Sequence, residues 1–210
     1  MTIPAGEFSR WLNRLESAMN GQGDSDVPCG ECTACCTSSQ FVYIGPEEKQ
    51  TIAHIPRKLL FPAPGRDGYI LGYNERGHCP MFMNTKCSIY AHRPRTCRTY
   101  DCRVFSATGI SPDKNQPGIT SRANEWKFSS PSPRDQLDQD AVRAAGKSLL
   151  DHPELLPGGM PPTQLAALAV RLHSLFLTAD PPGICQPLAD VLKREIARIL
   201  GSESTPANSA

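Results

Sequence analysis

The chain has almost no net charge. Its 22 lysines and arginines nearly cancel 21 aspartates and glutamates, leaving +1 at neutral pH. That balance excludes the long-range attraction for nucleic acid or anionic membrane that a strongly basic protein exerts. No apolar run approaches the ~20 residues of a membrane-spanning helix. Residues 1–7 lack the basic and apolar regions of a secretory signal. The expected compartment is therefore the cytosol, with no membrane partner and no nucleic-acid partner. Familiar catalytic motifs are also missing. No Gly-rich phosphate cradle follows a strand, and no Gly-x-Ser-x-Gly occurs. Cys32 and Cys36 have the first spacing of a radical-SAM cluster, but position 39 is serine.

Proline and cysteine are what the chain has in quantity. Twenty prolines and 16 glycines predict much irregular backbone. Eight of the nine cysteines fall between positions 29 and 102, and only Cys185 stands apart. In a reducing cytosol such a collection reads as metal ligands before disulfides. Cys29, Cys32 and Cys35 form two overlapping C-x2-C steps, and Cys36 follows directly. Cys79, Cys87, Cys97 and Cys102 complete the set. Thiolate sulfur is soft and suits zinc, copper(I) or iron–sulfur clusters. Eight thiols equal two four-coordinate sites, or one polynuclear cluster beside a mononuclear site.

The spacing leaves zinc and iron both open. Cys29, Cys32 and Cys35 match the first three ligands of a bacterial ferredoxin run, and Cys79-Pro80 echoes its fourth-ligand step, much later in the chain. Zinc knuckles use the same C-x2-C turn. The cofactor is thus zinc or iron, with a [4Fe–4S] cluster among the options. In extended backbone Cys35 and Cys36 would face opposite sides. One of them either serves a second centre or is a spare reactive thiol, with Cys36 the candidate. Arg93, Arg95, Arg98 and Arg103 crowd the later cysteines. Their charge would offset the thiolates and keep them ionised. His54, His78 and His92 are further candidate ligands, and Cys185 is expected to be a small packing residue.

The expected fold is α+β: a small, irregular, cysteine-rich metal-binding domain with short strands and helices, plus a helical C-terminal region. Residues 1–26 read as an amphipathic helix and linker, with Phe8, Trp11, Leu12, Leu15 and Met19 on one face. Residues 27–108 form the cysteine domain, with strands near 40–44 and 69–73 and a helix at 46–55. Residues 88–97 hold a short helix interrupted by Pro94. Residues 109–133 read as a Pro/Ser-rich connection that Trp126 and Phe128 anchor to a core. Helices are expected at 134–150, 163–177 and 187–200, the last stopped by Gly201. Residues 202–210 read as a disordered tail.

Taken together, Cys29-x2-Cys32-x2-Cys35-Cys36, Cys79-Pro80 and Cys87-x-Ile89-Tyr90-x2-Arg93-Pro94-x2-Cys97-Arg98 resemble the YkgJ-type cysteine-cluster family, described as chelating zinc or iron. The resemblance spans about residues 28–105. It implies a metal-chelating domain in which the eight cysteines are ligands and Arg93, Pro94 and Arg98 shape and charge the site. Flagellin lysine-N-methylases carry a similar cluster. The leading expectation is a metal-binding protein whose partner is a metal ion. The alternatives are an iron–sulfur-dependent oxidoreductase or methyltransferase, and a zinc-stabilised interaction module.

Overall fold

The computed structural model describes residues 2–25 and 27–203. In chain order its elements begin with β1 (Ile3–Glu7), α1 (Phe8–Met19), β2 (Val42–Ile44), α2 (Lys49–His54), β3 (Leu60–Pro62) and β4 (Tyr69–Leu71). There follow β5 (Phe82–Met83), β6 (Lys86–Cys87), α3 (Arg95–Thr99), α4 (Arg103–Thr108), α5 (Pro117–Glu125) and β7 (Trp126–Ser129). The chain continues through α6 (Pro133–Asp151), α7 (Pro162–Leu172), β8 (Leu177–Ala179), β9 (Pro182–Ile184) and α8 (Ala189–Glu203). Many helices and a few short strands make this an α+β protein with a helical C-terminal region. The elements fall into two compact units.

The cysteine unit comprises residues 17–102 and 114–122. Its centre is an antiparallel sheet in the order β2-β4-β3. Val42, Ile44, Leu60 and Leu71 alternate onto one face of that sheet and pack with Ile55, Met81 and Ile89. Cys79 and Cys87 lean against this apolar cluster. The β5–β6 hairpin turns through Asn84 and Thr85, both at positive φ. That is the backbone of a primed two-residue turn, which brings Cys87 opposite Phe82. Pro94 ends the 3-10 segment Tyr90–His92, and α3 begins directly after it.

The second unit comprises the described residues of 1–16, 103–113 and 123–210. Here β1 lies parallel to β7, with Ile3 opposite Trp126 and Glu7 opposite Ser129. The rings of Phe8, Trp11 and Phe128 meet at centroid distances of 4.7 to 5.2 Å. Helix α6 starts at a capping box. The Ser132 hydroxyl accepts from the Asp135 amide, and the Asp135 carboxylate accepts from the Ser132 amide at 3.1 Å. Asp135 also accepts from the Ser9 amide at 2.9 Å. Helix α4 packs on α6 and α7. Gly146 permits this, because a Cβ there would overlap the carbonyl oxygen of Thr108.

Some expected boundaries differ. Residues 109–133 are not a bare connection, since they hold α5 and β7. Pro117 opens α5 at a position where proline is well suited. Trp126 is fully buried, as an anchor should be. Helix α7 ends at Leu172, and its last expected turn tightens into a 3-10 segment, His173–Phe176. Gly201 does not stop α8, which continues to Glu203; its φ is not in the left-handed region. Leu188, inside the helix expected at 187–200, is exposed ahead of α8. Residues 204–210 of the expected tail lie outside the described residues.

Candidate metal centre

All eight clustered cysteines line one cavity of about 210 Å³ within the cysteine unit. A single buried water needs only ~10–15 Å³ on the same measure, so the space exceeds what one small ion fills. No cysteine is in a disulfide among the described residues. Cys102 is buried, Cys29, Cys32, Cys36, Cys79 and Cys87 are half-buried, and Cys35 and Cys97 are exposed. The surface that Cys35 and Cys97 expose faces the cavity, whose wall they help to form.

Local backbone sets the direction of each thiol. Cys29 and Cys32 close a β-turn through the Cys32 amide and Cys29 carbonyl at 2.9 Å. Gly30, at φ +56°, supplies the left-handed step in that turn. Cys35 and Cys36 lie in a 3-10 segment, Ala34–Thr37, closed by the Cys36 amide on Thr33 and the Ser38 hydroxyl on Ala34. The vicinal pair is therefore not extended. A 3-10 helix turns about 120° per residue, so the two side chains still diverge. The Cys79 amide donates to the Cys36 carbonyl at 2.8 Å. Cys97 rides on α3, which Thr96 fastens to the carbonyl of Tyr43 at 2.7 Å. Asp101 accepts from Ser25 at 3.0 Å, tying the chain at Cys102 to the segment that leads into Cys29.

The thiols are electrostatically crowded. Desolvation, then Cys79, Cys36 and Cys87, push the Cys97 thiol up to about 12, with Arg93 acting in the opposite sense. Cys36 rises to about 11, from desolvation first and then Cys79, Cys87, Cys32 and Cys29. Cys35 is raised by desolvation, then by Cys102, Cys29, Cys36 and Cys32. Cys79 is raised mainly by desolvation, opposed by the amides of Met81 and Phe82. These four groups are protonated in the metal-free protein at neutral pH. At Cys97 burial outweighs the opposing charge of Arg93.

The arginines divide by position. Arg93 and Pro94 line the cavity, and the Arg93 guanidinium also covers the Tyr90 ring at 4.1 Å. Arg98 is engaged elsewhere, pairing with Asp24 at 2.6 Å and donating to the Arg93 carbonyl at 3.3 Å. Its own carbonyl receives the Ser25 amide, so it braces the entry to Cys29. Arg103 belongs to the other unit, where it donates to the Ala5 carbonyl at 3.1 Å. Arg122 was not foreseen. It lines the cavity and donates to the Cys29 carbonyl at 3.1 Å. Its only signal in sequence is the spacing of Ile119 and Arg122 on one face of a Pro-initiated helix.

No histidine lines the cavity. His54 and His92 stack on each other at 3.8 Å, and His78 packs edge-on against Phe82. Cys185 lies in the other unit, its thiol directed to the Leu175 carbonyl. Among the described residues no three Cys, His, Asp or Glu groups already stand together around a single ion position. The sulfurs are spread along the cavity wall. The donor set nonetheless fits a soft metal: eight cysteine sulfurs with no carboxylate or imidazole among the lining residues, a concave wall, and guanidinium charge from Arg93 and Arg122 to balance thiolates. Among the described residues no helix is long and apolar enough to cross a membrane.

Neither the curated proteins nor the solved structures contain a match to the chain. A family model does match: residues 28–123, which include all eight cavity cysteines and both cavity arginines, are similar to the CxxCxxCC family, described as a putative zinc- or iron-chelating domain.

Proposed function

We propose that this protein binds zinc or iron through thiolates of Cys29, Cys32, Cys35, Cys36, Cys79, Cys87, Cys97 and Cys102. The observation that carries the reading is the convergence of all eight on one cavity from positions up to 73 apart in the chain. Soft ligands alone, without carboxylate or imidazole, select zinc or iron–sulfur chemistry over magnesium or calcium. The metal would displace thiol protons and form four or more coordinate bonds. It would thereby supply folding free energy to a unit with short strands and a small apolar cluster. Arg93 and Pro94 shape the wall, and Arg98 braces the loop before Cys29.

The test is anaerobic purification, a visible spectrum, and measurement of zinc, iron and acid-labile sulfide on one sample. Stoichiometric metal, lost in an all-serine variant of the eight cysteines, supports the reading. Folded protein that holds no zinc or iron after anaerobic reconstitution overturns it. Iron with matching sulfide would favour the enzyme alternative, in which a cluster serves redox or methyl-transfer chemistry. Zinc alone would leave the interaction-module alternative.

A further inference from the structure

We propose that the eight thiols form two separate four-thiol centres, one of Cys29, Cys32, Cys35 and Cys102, the other of Cys36, Cys79, Cys87 and Cys97. This inference rests on the chelation reading and deepens it by assigning the ligands.

The vicinal pair makes the division. Cys35 and Cys36 sit in a 3-10 segment. Consecutive side chains there differ in direction by about 120°, so the two sulfurs address different parts of the cavity. From Cys36 the backbone leads to the β5–β6 hairpin. Its carbonyl holds the Cys79 amide, and the Cys79 carbonyl holds the Phe82 amide at 2.9 Å. Phe82 in turn is the register partner of Cys87. Cys36, Cys79 and Cys87 are thus joined by consecutive main-chain contacts, and Cys97 faces them from α3. Cys97 lines the same cavity from α3.

Cys35 belongs to the other side. It sits in the 3-10 segment that directly follows the Cys29–Cys32 turn. Cys29 and Cys32 share one β-turn. Cys102 is brought to them by the Ser25–Asp101 hydrogen bond and the Ser25–Arg98 main-chain contact. Each set also has its own guanidinium: Arg122 on the Cys29 carbonyl, and Arg93 beside Cys97. Four thiolates around a divalent ion carry net charge −2, so one cation per centre offsets half of it.

The division gives adjacent substitutions different consequences. Reconstitute the full chain anaerobically with Zn2+ and measure bound zinc by native mass spectrometry. Then alkylate with iodoacetamide and locate the modified cysteines by peptide mapping. The wild type should bind two zinc ions and protect all eight thiols. Cys35→Ser should bind one and expose Cys29, Cys32 and Cys102. Cys36→Ser should bind one and expose Cys79, Cys87 and Cys97. Cys35→Ser combined with Cys36→Ser should bind none. A wild type that stops at one ion overturns the two-centre assignment while leaving chelation standing. So do single variants that expose the same cysteines. Folded wild type that binds no zinc and protects no thiol overturns both readings. Because each single variant retains one intact centre, the alkylation pattern separates ligand loss from unfolding, which would expose all remaining thiols.

Discussion

Titrating zinc into metal-free, reduced protein near neutral pH should release protons in proportion to the metal taken up. Cys36 and Cys97 are pushed up to about 11 and about 12, and Cys35 and Cys79 are also raised. At pH 7 a thiol with a pKa of 11 is ionised in only about one molecule in ten thousand. Each such thiol must therefore lose its proton on ligation. Each of these four thiols that ligates should release about one proton. Apparent affinity should consequently rise by about tenfold per pH unit for each proton an ion displaces, as long as pH stays below the thiol pKa. The assay is isothermal calorimetry in buffers of different ionisation enthalpy, with the proton count taken from the slope. Release of fewer than one proton per ion would refute the reasoning. It would mean either that the thiols are already ionised or that they are not the ligands.

Three further outcomes follow from the same geometry. Without metal, the raised thiols contribute stability that is complete below their ordinary value of 9.0 and is lost as pH climbs through about 11 to 12; denaturation midpoints of the metal-free protein should fall over that window, and a flat profile would count against the crowding. Ser132→Ala removes the α6 capping box and should lower stability by about 1 kcal/mol in urea denaturation, with no change in bound metal. Gly146→Ala presses a methyl group on the Thr108 carbonyl and should cost about 1–3 kcal/mol, whereas a neutral result would show that α4 and α6 can separate freely.

Short-range pattern explains what was legible in the sequence. The apolar residues of α1 recur at helical spacing, and Phe8, Trp11, Leu12 and Leu15 are all buried. Strands β2 and β4 were readable as β-branched and aromatic runs, and α6 to α8 as amphipathic repeats. Strand β1 was not, because Pro4 and Gly6 weaken its local preference and its partner β7 lies over a hundred residues away. The pairing, not the propensity, makes it a strand. Helix α5 was missed because Gly, Ser and Asn dilute its apolar face, so Arg122 went unnoticed. His54, His78 and His92 looked like ligands by proximity in sequence, yet their rings pack on one another or on Phe82.

The arginines show the same limit. Arg93 and Arg103 flank the cysteines alike in sequence, but one lines the cavity and the other serves a different unit. By itself the sequence determined the donor chemistry: eight soft sulfurs, suited to zinc, copper(I) or iron–sulfur clusters rather than magnesium or calcium. Ligand type is a property of each residue and survives any fold. That the eight sulfurs line one cavity was decided only by the tertiary structure. A turn at Gly30, a 3-10 step at Cys35-Cys36, a hairpin at Asn84-Thr85 and the short helix α3 aim the side chains, and none of those directions is written in the spacing alone.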